Sequence, residues 1–158
     1  MTREAVIVLG LAAVYLLYLL ARAIRGRSVK RRVRALARNA VEMRPEAFFR
    51  LRSKTQGGSR KYLSKKYDYE GVYILYNKTR RMYYVGQAVN VLSRINQHLT
   101  GHGNGDVYAD FKYGDRFTIT SIRLRGSGFA TLNELERHCI ARYKADSTGY
   151  NKTKGNKG

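Results

Sequence analysis

Acidic side chains are scarce in this sequence. Eleven Asp and Glu stand against 31 Lys and Arg, giving a formal net charge of +20 and a pI near 10.4. That balance directs the chain toward anionic partners, either nucleic acid or an anionic membrane surface. Cysteine is almost absent. Cys139 stands alone, which excludes an internal disulfide and agrees with a cytoplasmic location. It lies in an apolar helical pattern, the setting of a buried core thiol. His98, His102 and His138 lack the spacing of a zinc site, and one cysteine cannot complete it. There is no Ser-His-Asp set and no Walker loop. Proline occurs once, at Pro45, where it breaks one helical pattern and suits the first turn of another.

The positive charge is unevenly spread. Residues 1–66 hold 17 basic and 3 acidic side chains, a net of 17 − 3 = +14; residues 67–158 hold 14 and 8, a net of 14 − 8 = +6. Most of the excess therefore lies ahead of the stretch that looks like a folded domain, and the pI alone says little about DNA binding by that domain. Three parts are expected: an N-terminal membrane anchor over 1–24, a basic amphipathic helix and linker over 25–66, and a folded domain over 67–158.

Residues 5–21 carry no charge. As a helix they would span roughly 25 Å, the short end of what crosses a bilayer. Arg22, Arg25, Arg27, Lys30, Arg31, Arg32 and Arg34 follow the run, whereas Arg3 alone precedes it, offset by Glu4. The positive-inside rule then leaves the C-terminal side in the cytoplasm. The expected localisation is a single-pass protein of the cell membrane with its domain on the cytoplasmic face. Ala21, Arg22 and Ala23 also resemble a signal-peptide cleavage site, which would make the protein secreted.

Val29, Val33, Leu36, Ala37, Ala40 and Val41 fall at helical spacing among Arg and Lys over residues 28–44. Such a basic amphipathic helix is either a solvated spacer or a helix lying on lipids of the anionic inner leaflet. Phe48, Phe49 and Leu51 are expected to pack on the domain, and residues 54–66, rich in Gly, Ser, Lys and Arg, read as a linker.

From residue 67 the pattern is that of a small α+β domain. Residues 71–76 and 82–88 are rich in β-branched and aromatic side chains on either side of a polar turn, Asn77 to Arg81, and predict an antiparallel hairpin. A helix capped by Asn90 follows, with Leu92, Ile95 and Leu99 as its buried stripe and Arg94 and His98 one turn apart on a different face. A short helix is expected around 107–113, a third strand over 117–124 and a last helix over 131–145. The expected fold is an antiparallel three-stranded sheet flanked by helices.

On the last helix, positions 132, 136, 140 and 143 share a face, and only Glu136 among them is charged. A carboxylate on an apolar stripe is costly to desolvate, so it calls for a metal, a cationic partner or an escape to solvent at the stripe's edge. Glu134 has a structural explanation, because Thr131 to Glu134 matches a capping box.

Gly71, Val72 and Tyr73 form one tripeptide and Tyr84, Val85 and Gly86 a second, with residues 74–83 between them. With Arg94, His98, Glu136 and Asn151 following in order, the chain resembles the GIY-YIG nuclease superfamily over about residues 68–155. The resemblance implies hydrolysis of DNA phosphodiesters with one divalent ion, Mg²⁺ or Mn²⁺. It implies that Tyr73 acts as general base or proton relay, that Arg94 stabilises charge on the phosphate, and that Tyr84 and His98 position phosphate or water. Glu136 would hold the metal and Asn151 would brace the site, with Gly86 and Lys152 close to substrate. No second domain for reading sequence follows, so weak sequence specificity is expected. The rival from another class is a non-catalytic membrane-anchored DNA-binding protein.

Overall fold

Strand β4 (Gly71–Asn77) is apolar at nearly every position because both faces of the sheet around it are covered. It pairs antiparallel with β5 (Met82–Ala88) from Gly71 opposite Ala88 to Asn77 opposite Met82. On its other side it pairs antiparallel with β6 (Phe117–Arg123). The structure, a computed structural model, describes residues 2–52, 55–56, 59–60 and 67–155.

The sheet has four strands, not the three expected: a short strand β1 (Glu42–Met43) next to β6, then β4 and β5. The extra strand is β1, which pairs with Thr120 and Ile119 of β6. Two residues are too few to carry an alternating pattern, so the sequence holds no signal for it. The hairpin turn also begins one residue later than expected, because Asn77 is still in β4. Its Oδ1 accepts the N–H groups of Thr79 (3.0 Å) and Arg80 (3.1 Å), and Arg81 takes a φ of 58° to close the turn.

Helices pack on both faces. On one, Val72, Ile74, Val85 and Ile122 meet Leu135, Cys139 and Ile140 of α5 (Leu132–Tyr143). On the other, Tyr73, Leu75 and Ile119 meet Phe48 of α2 (Pro45–Arg52), Val91, Ile95 and Leu99 of α3 (Val91–Leu99), and Val107 of α4 (Gly105–Lys112). Each of these buried aliphatic side chains contributes about 1.5–3 kcal/mol of transfer free energy.

The N-terminal region is one continuous helix, α1 (Arg3–Asn39). Its first half is long and apolar enough to cross a membrane, and its side chains are exposed, Leu17 to 65%. Its second half docks on the α5 face. Val33 is 1% exposed in that core, with Val29, Leu36 and Ala40 beside it. Arg32 donates to the Gly128 carbonyl and lies 5.8 Å over the Phe129 ring. The apolar stripe of the basic helix is thus spent on the domain up to Ala40, and Arg25, Arg27, Lys30, Arg31 and Arg34 remain on the exposed side; the helix stops at Asn39, short of the expected 44, which leaves Val41 outside the stripe and 72% exposed. Phe48 is buried and Phe49 partly so, but Leu51 is 48% exposed and does not pack as expected, because α2 turns it outward. Within the expected linker the backbone of Thr55–Gln56 (β2) pairs antiparallel with Ser59–Arg60 (β3); the rest of residues 54–66 lies outside the described residues.

Candidate active site

The cross-strand pair Tyr73 and Gly86 sets the position of everything else. Tyr73 lays its phenol across β5 directly over Gly86, where an added Cβ would come within 2.3 Å of the Tyr73 hydroxyl. Glycine is required there so that the ring can lie flat against the strand, and this packing explains Gly86 without any contact to substrate.

Asp68 places α3. Its Oδ1 accepts the Leu92 N–H (2.7 Å), and its Oδ2 accepts the Ser93 N–H (3.0 Å) and hydroxyl (2.7 Å). A carboxylate at a helix N-terminus also meets the positive end of the dipole. Asn90 occupies the N-cap position but makes no side-chain cap bond, contrary to expectation. The cap comes from before the hairpin, and no local pattern announces it.

Arg94 and His98 do not share a solvent face either. His98 is fully buried with Ile95 and Leu99, because β4 and the loop after α3 close over it. Its Nε2 lies 2.8 Å from the Tyr73 hydroxyl, and its Nδ1 accepts the Asn104 N–H at 2.8 Å. Its ring centroid is 4.8 Å from that of Tyr84 and 5.3 Å from that of Tyr73. Burial, reinforced by the Arg94 charge, holds the His98 pKa down to about 4. The Arg94 guanidinium stays nearer the surface, where it donates to Gln97 Oε1 (2.7 Å).

Burial pushes the Tyr73 hydroxyl well above the ordinary tyrosine value, with Tyr84 adding to the rise and Arg94 only partly offsetting it. Tyr84 is raised less; burial lifts it, while its bond to Tyr73 and the Arg94 charge pull it down. In the folded chain Tyr73 is therefore a phenol at neutral pH.

The opposite face of β5 carries the carboxylate. Gln87 points toward α5, and its Nε2 donates to Asn133 Oδ1 (2.6 Å) and Glu136 Oε2 (3.2 Å). Glu136 is 8% exposed. Glu134 sits at the helix start, its N–H bonded to the Thr131 hydroxyl (3.2 Å) as a capping box requires, while its Oε2 reaches back to the N–H of Ala130 (3.2 Å), one residue before the N-cap, rather than to that of Thr131.

Because β5 is an edge strand, the segment after α5 can run along it. Tyr150 N–H bonds to the Tyr83 carbonyl (2.9 Å). Asn151 accepts the Val85 N–H (2.8 Å) and donates to the Val85 carbonyl (2.7 Å). Both ends of its amide are engaged with the backbone between Tyr84 and Gly86, which is how a side chain braces a strand edge. Tyr84, Asn104, Glu136, Asn151, Lys152 and Thr153 line a groove of about 260 Å³ beside that edge. Tyr73, Arg94 and His98 stand behind Tyr84. Cys139 and His138 lie apart: burial pushes the Cys139 thiol up to about 12, and His138 packs on Phe129.

Gln87 was missed by sequence reasoning, although its signal was present. The period of two that turns Val85 toward α5 turns Gln87 there as well. Asp68 and the Asn104 amide left no such signal.

Glu136 can be tested as a metal holder by its surroundings. Among the described residues no group of three or more His, Cys, Asp and Glu gathers at one point. One carboxylate beside hydroxyl and amide oxygens at an open groove suits a hard divalent cation that keeps most of its shell as water and phosphate oxygens. The residues present fit such an ion.

A guanidinium, two tyrosines and a buried imidazole thus lie on one side of a strand edge, with a carboxylate on the other, on a small α+β fold. The sequence model of the GIY-YIG catalytic domain matches residues 69–151, and the chain belongs to that family of nucleases. No curated protein and no solved structure matches the chain.

Proposed function

We propose that the chain is a membrane-tethered, divalent-cation-dependent DNA endonuclease of low sequence specificity, with its catalytic domain in the cytoplasm. The observation that carries the reading is the convergence at the β5 edge. Tyr73, Tyr84, Arg94 and His98 lie on one face, and Glu136, Asn151 and Lys152 meet Tyr84 at the groove.

Hydrolysis forms a P–O bond to water and breaks the P–O bond to the leaving alcohol. The proton of the attacking water must go to a group in the site. Tyr73 is protonated at the start, so it serves as a relay, taking the water's proton as it passes its own to the Tyr84 hydroxyl and on to solvent, and the leaving oxygen takes up a proton from solvent to depart as the alcohol. Arg94 would compensate the charge that grows on the phosphate oxygens. Glu136 would hold Mg²⁺ or Mn²⁺, which when bound supplies Lewis-acid polarisation of the phosphate. Gln87 aims the carboxylate, Asn151 fixes the strand edge, and Lys152 adds a cation for the DNA backbone. Phosphate contacts of this kind carry no base information.

The apolar half of α1 supports the tether, and the charge bias around residues 5–21 supports a cytoplasmic domain. The exposed basic side of α1 then faces anionic inner-leaflet lipids. A tether confines cleavage to DNA at the membrane, where incoming foreign DNA arrives.

The test is to incubate the full chain in detergent with supercoiled plasmid. Nicked circles are expected with Mg²⁺ or Mn²⁺ and none with a chelator. A folded chain that binds DNA yet never nicks it would convert the reading to a non-catalytic tether. A reporter fused after Gly158 is expected to read cytoplasmic; an external signal would favour the secreted alternative.

A further inference from the structure

The loop that follows α3 meets the buried imidazole at one atom. The Asn104 backbone N–H points at His98 Nδ1 from 2.8 Å. A peptide N–H can only donate, so Nδ1 must present a lone pair and carries no proton. His98 is neutral near pH 7, since burial and the Arg94 charge both oppose its protonation. A neutral imidazole with a bare Nδ1 carries its proton on Nε2. Nε2 lies 2.8 Å from the Tyr73 hydroxyl.

The loop is shaped to hold this contact. A Cβ at Gly103 would lie 2.5 Å from His98 Nδ1 and 2.8 Å from its Cα, so only glycine lets the backbone pass. The His102 N–H bonds to the Gln97 carbonyl at 2.8 Å, tying the loop to the last turn of α3. The Asn104 side chain accepts the Val107 N–H at 3.0 Å and starts α4. The Asn104 peptide is thereby fixed from both sides. The other groups at the ring are Tyr73 from β4, Tyr84 from β5 and Arg94 from α3.

We infer that the loop over residues 101–104 locks His98 in its Nε2–H tautomer, which makes His98 a standing hydrogen-bond donor to the Tyr73 oxygen and bars it from taking the Tyr73 proton. The Tyr73 proton is then left for Tyr84, in keeping with the opposite effects the two hydroxyls have on each other. His98 is a positioning residue that acts through Tyr73. The tautomer stands on geometry alone, whereas its catalytic meaning rests on the nuclease reading above.

The direct test is long-range ¹H–¹⁵N correlation of the full chain labelled at histidine, in detergent, with the His98 signals assigned by their loss in His98→Gln. The expected pattern is a protonated Nε2 and a bare Nδ1 from pH 8 down to pH 5.5. A proton on Nδ1, an even mixture, or an imidazolium at pH 7 would overturn the inference. Gly103→Ala is expected to give a tautomer mixture; an unchanged pattern would remove the loop's role. In nicking assays His98→Gln, whose amide can still donate, is expected to stay within about tenfold of wild type, and His98→Leu to lose about a hundredfold. Equal losses in both would contradict the donor role. If the chain nicks no DNA at all, the nuclease reading fails while the ring spectra still decide the tautomer.

Discussion

Above β5, the four side chains to which the proposed function assigns protons and phosphate charge lie together: Tyr73, Tyr84, Arg94 and His98. Below it, Gln87, itself anchored on Asn133, donates to a single carboxylate, Glu136 of α5. In the upper group Tyr73 and His98 are buried, while its one cation, Arg94, stays nearer the surface. The lower group carries one anion, Glu136, which lines the groove together with Tyr84. A strand edge is the one place in a sheet where residues of opposite faces can approach a common ligand, and the segment at Tyr150 and Asn151 keeps that edge in place without covering the groove. The difference teaches a division of labour. Substitutions above the strand should change the rate, whereas substitutions below it should change how much metal is needed.

A large effect is expected from Arg94→Ala. Removing a cation aimed at developing charge should slow nicking about 10²- to 10³-fold at saturating metal. A drop that extra Mg²⁺ fully restores would break the comparison. The next effect is acid instability of the upper face. The folded pKa of His98 lies below its unfolded value, so its contribution to stability is complete above about pH 6.5 and is lost as pH falls toward 4. From the difference between 6.5 and about 4, at about 1.4 kcal/mol per unit, the loss is about 3 kcal/mol. Denaturant midpoints of wild type and His98→Gln, measured at pH 7 and pH 4.5, should converge as pH drops. Parallel curves would show that His98 titrates normally.

Below the strand, Gln87→Ala should raise the metal concentration for half-maximal nicking roughly 10- to 100-fold, the usual cost of losing a partner that orients a ligand. A lowered plateau at unchanged metal demand would place Gln87 with the upper group instead. The smallest effect concerns the cover on the lower face. Val33 is buried against the α5 core although it comes from the same helix as the apolar run. Val33→Ala should cost roughly 1.5 kcal/mol in chemical denaturation, by lost transfer free energy. No change would mean that α1 does not stay docked.

The legible part of the molecule is the part written in local patterns. The β-branched and aromatic runs on either side of the polar turn marked the hairpin, the stripe on α5 marked Glu136, and the box at Thr131 accounted for Glu134. What stayed hidden depends on contacts between distant segments. Asp68 caps a helix that begins 23 residues later (91 − 68 = 23). β1 is too short to have a pattern, and it joins the sheet only because α1 docks and brings residues 42–43 to β6. The burial of His98 could not be read from i and i+4 spacing. It follows from Gly103 allowing a loop to close over the ring. In the site, the motif positions were readable as residue types, but the two-sided arrangement was not, since it is a property of β5 being an edge.

The account turns on that two-sidedness, and one measurement addresses it most directly: the rate of plasmid nicking against Mg²⁺ concentration for the full chain, Tyr73→Phe and Glu136→Gln. Tyr73→Phe should lower the plateau by about 10²- to 10⁴-fold and leave the metal midpoint in place. Glu136→Gln should move the midpoint beyond the wild-type range or abolish nicking. Wild-type nicking that persists in chelator, or the same midpoint shift from both variants, would contradict the assignment of proton transfer to one face of β5 and metal binding to the other.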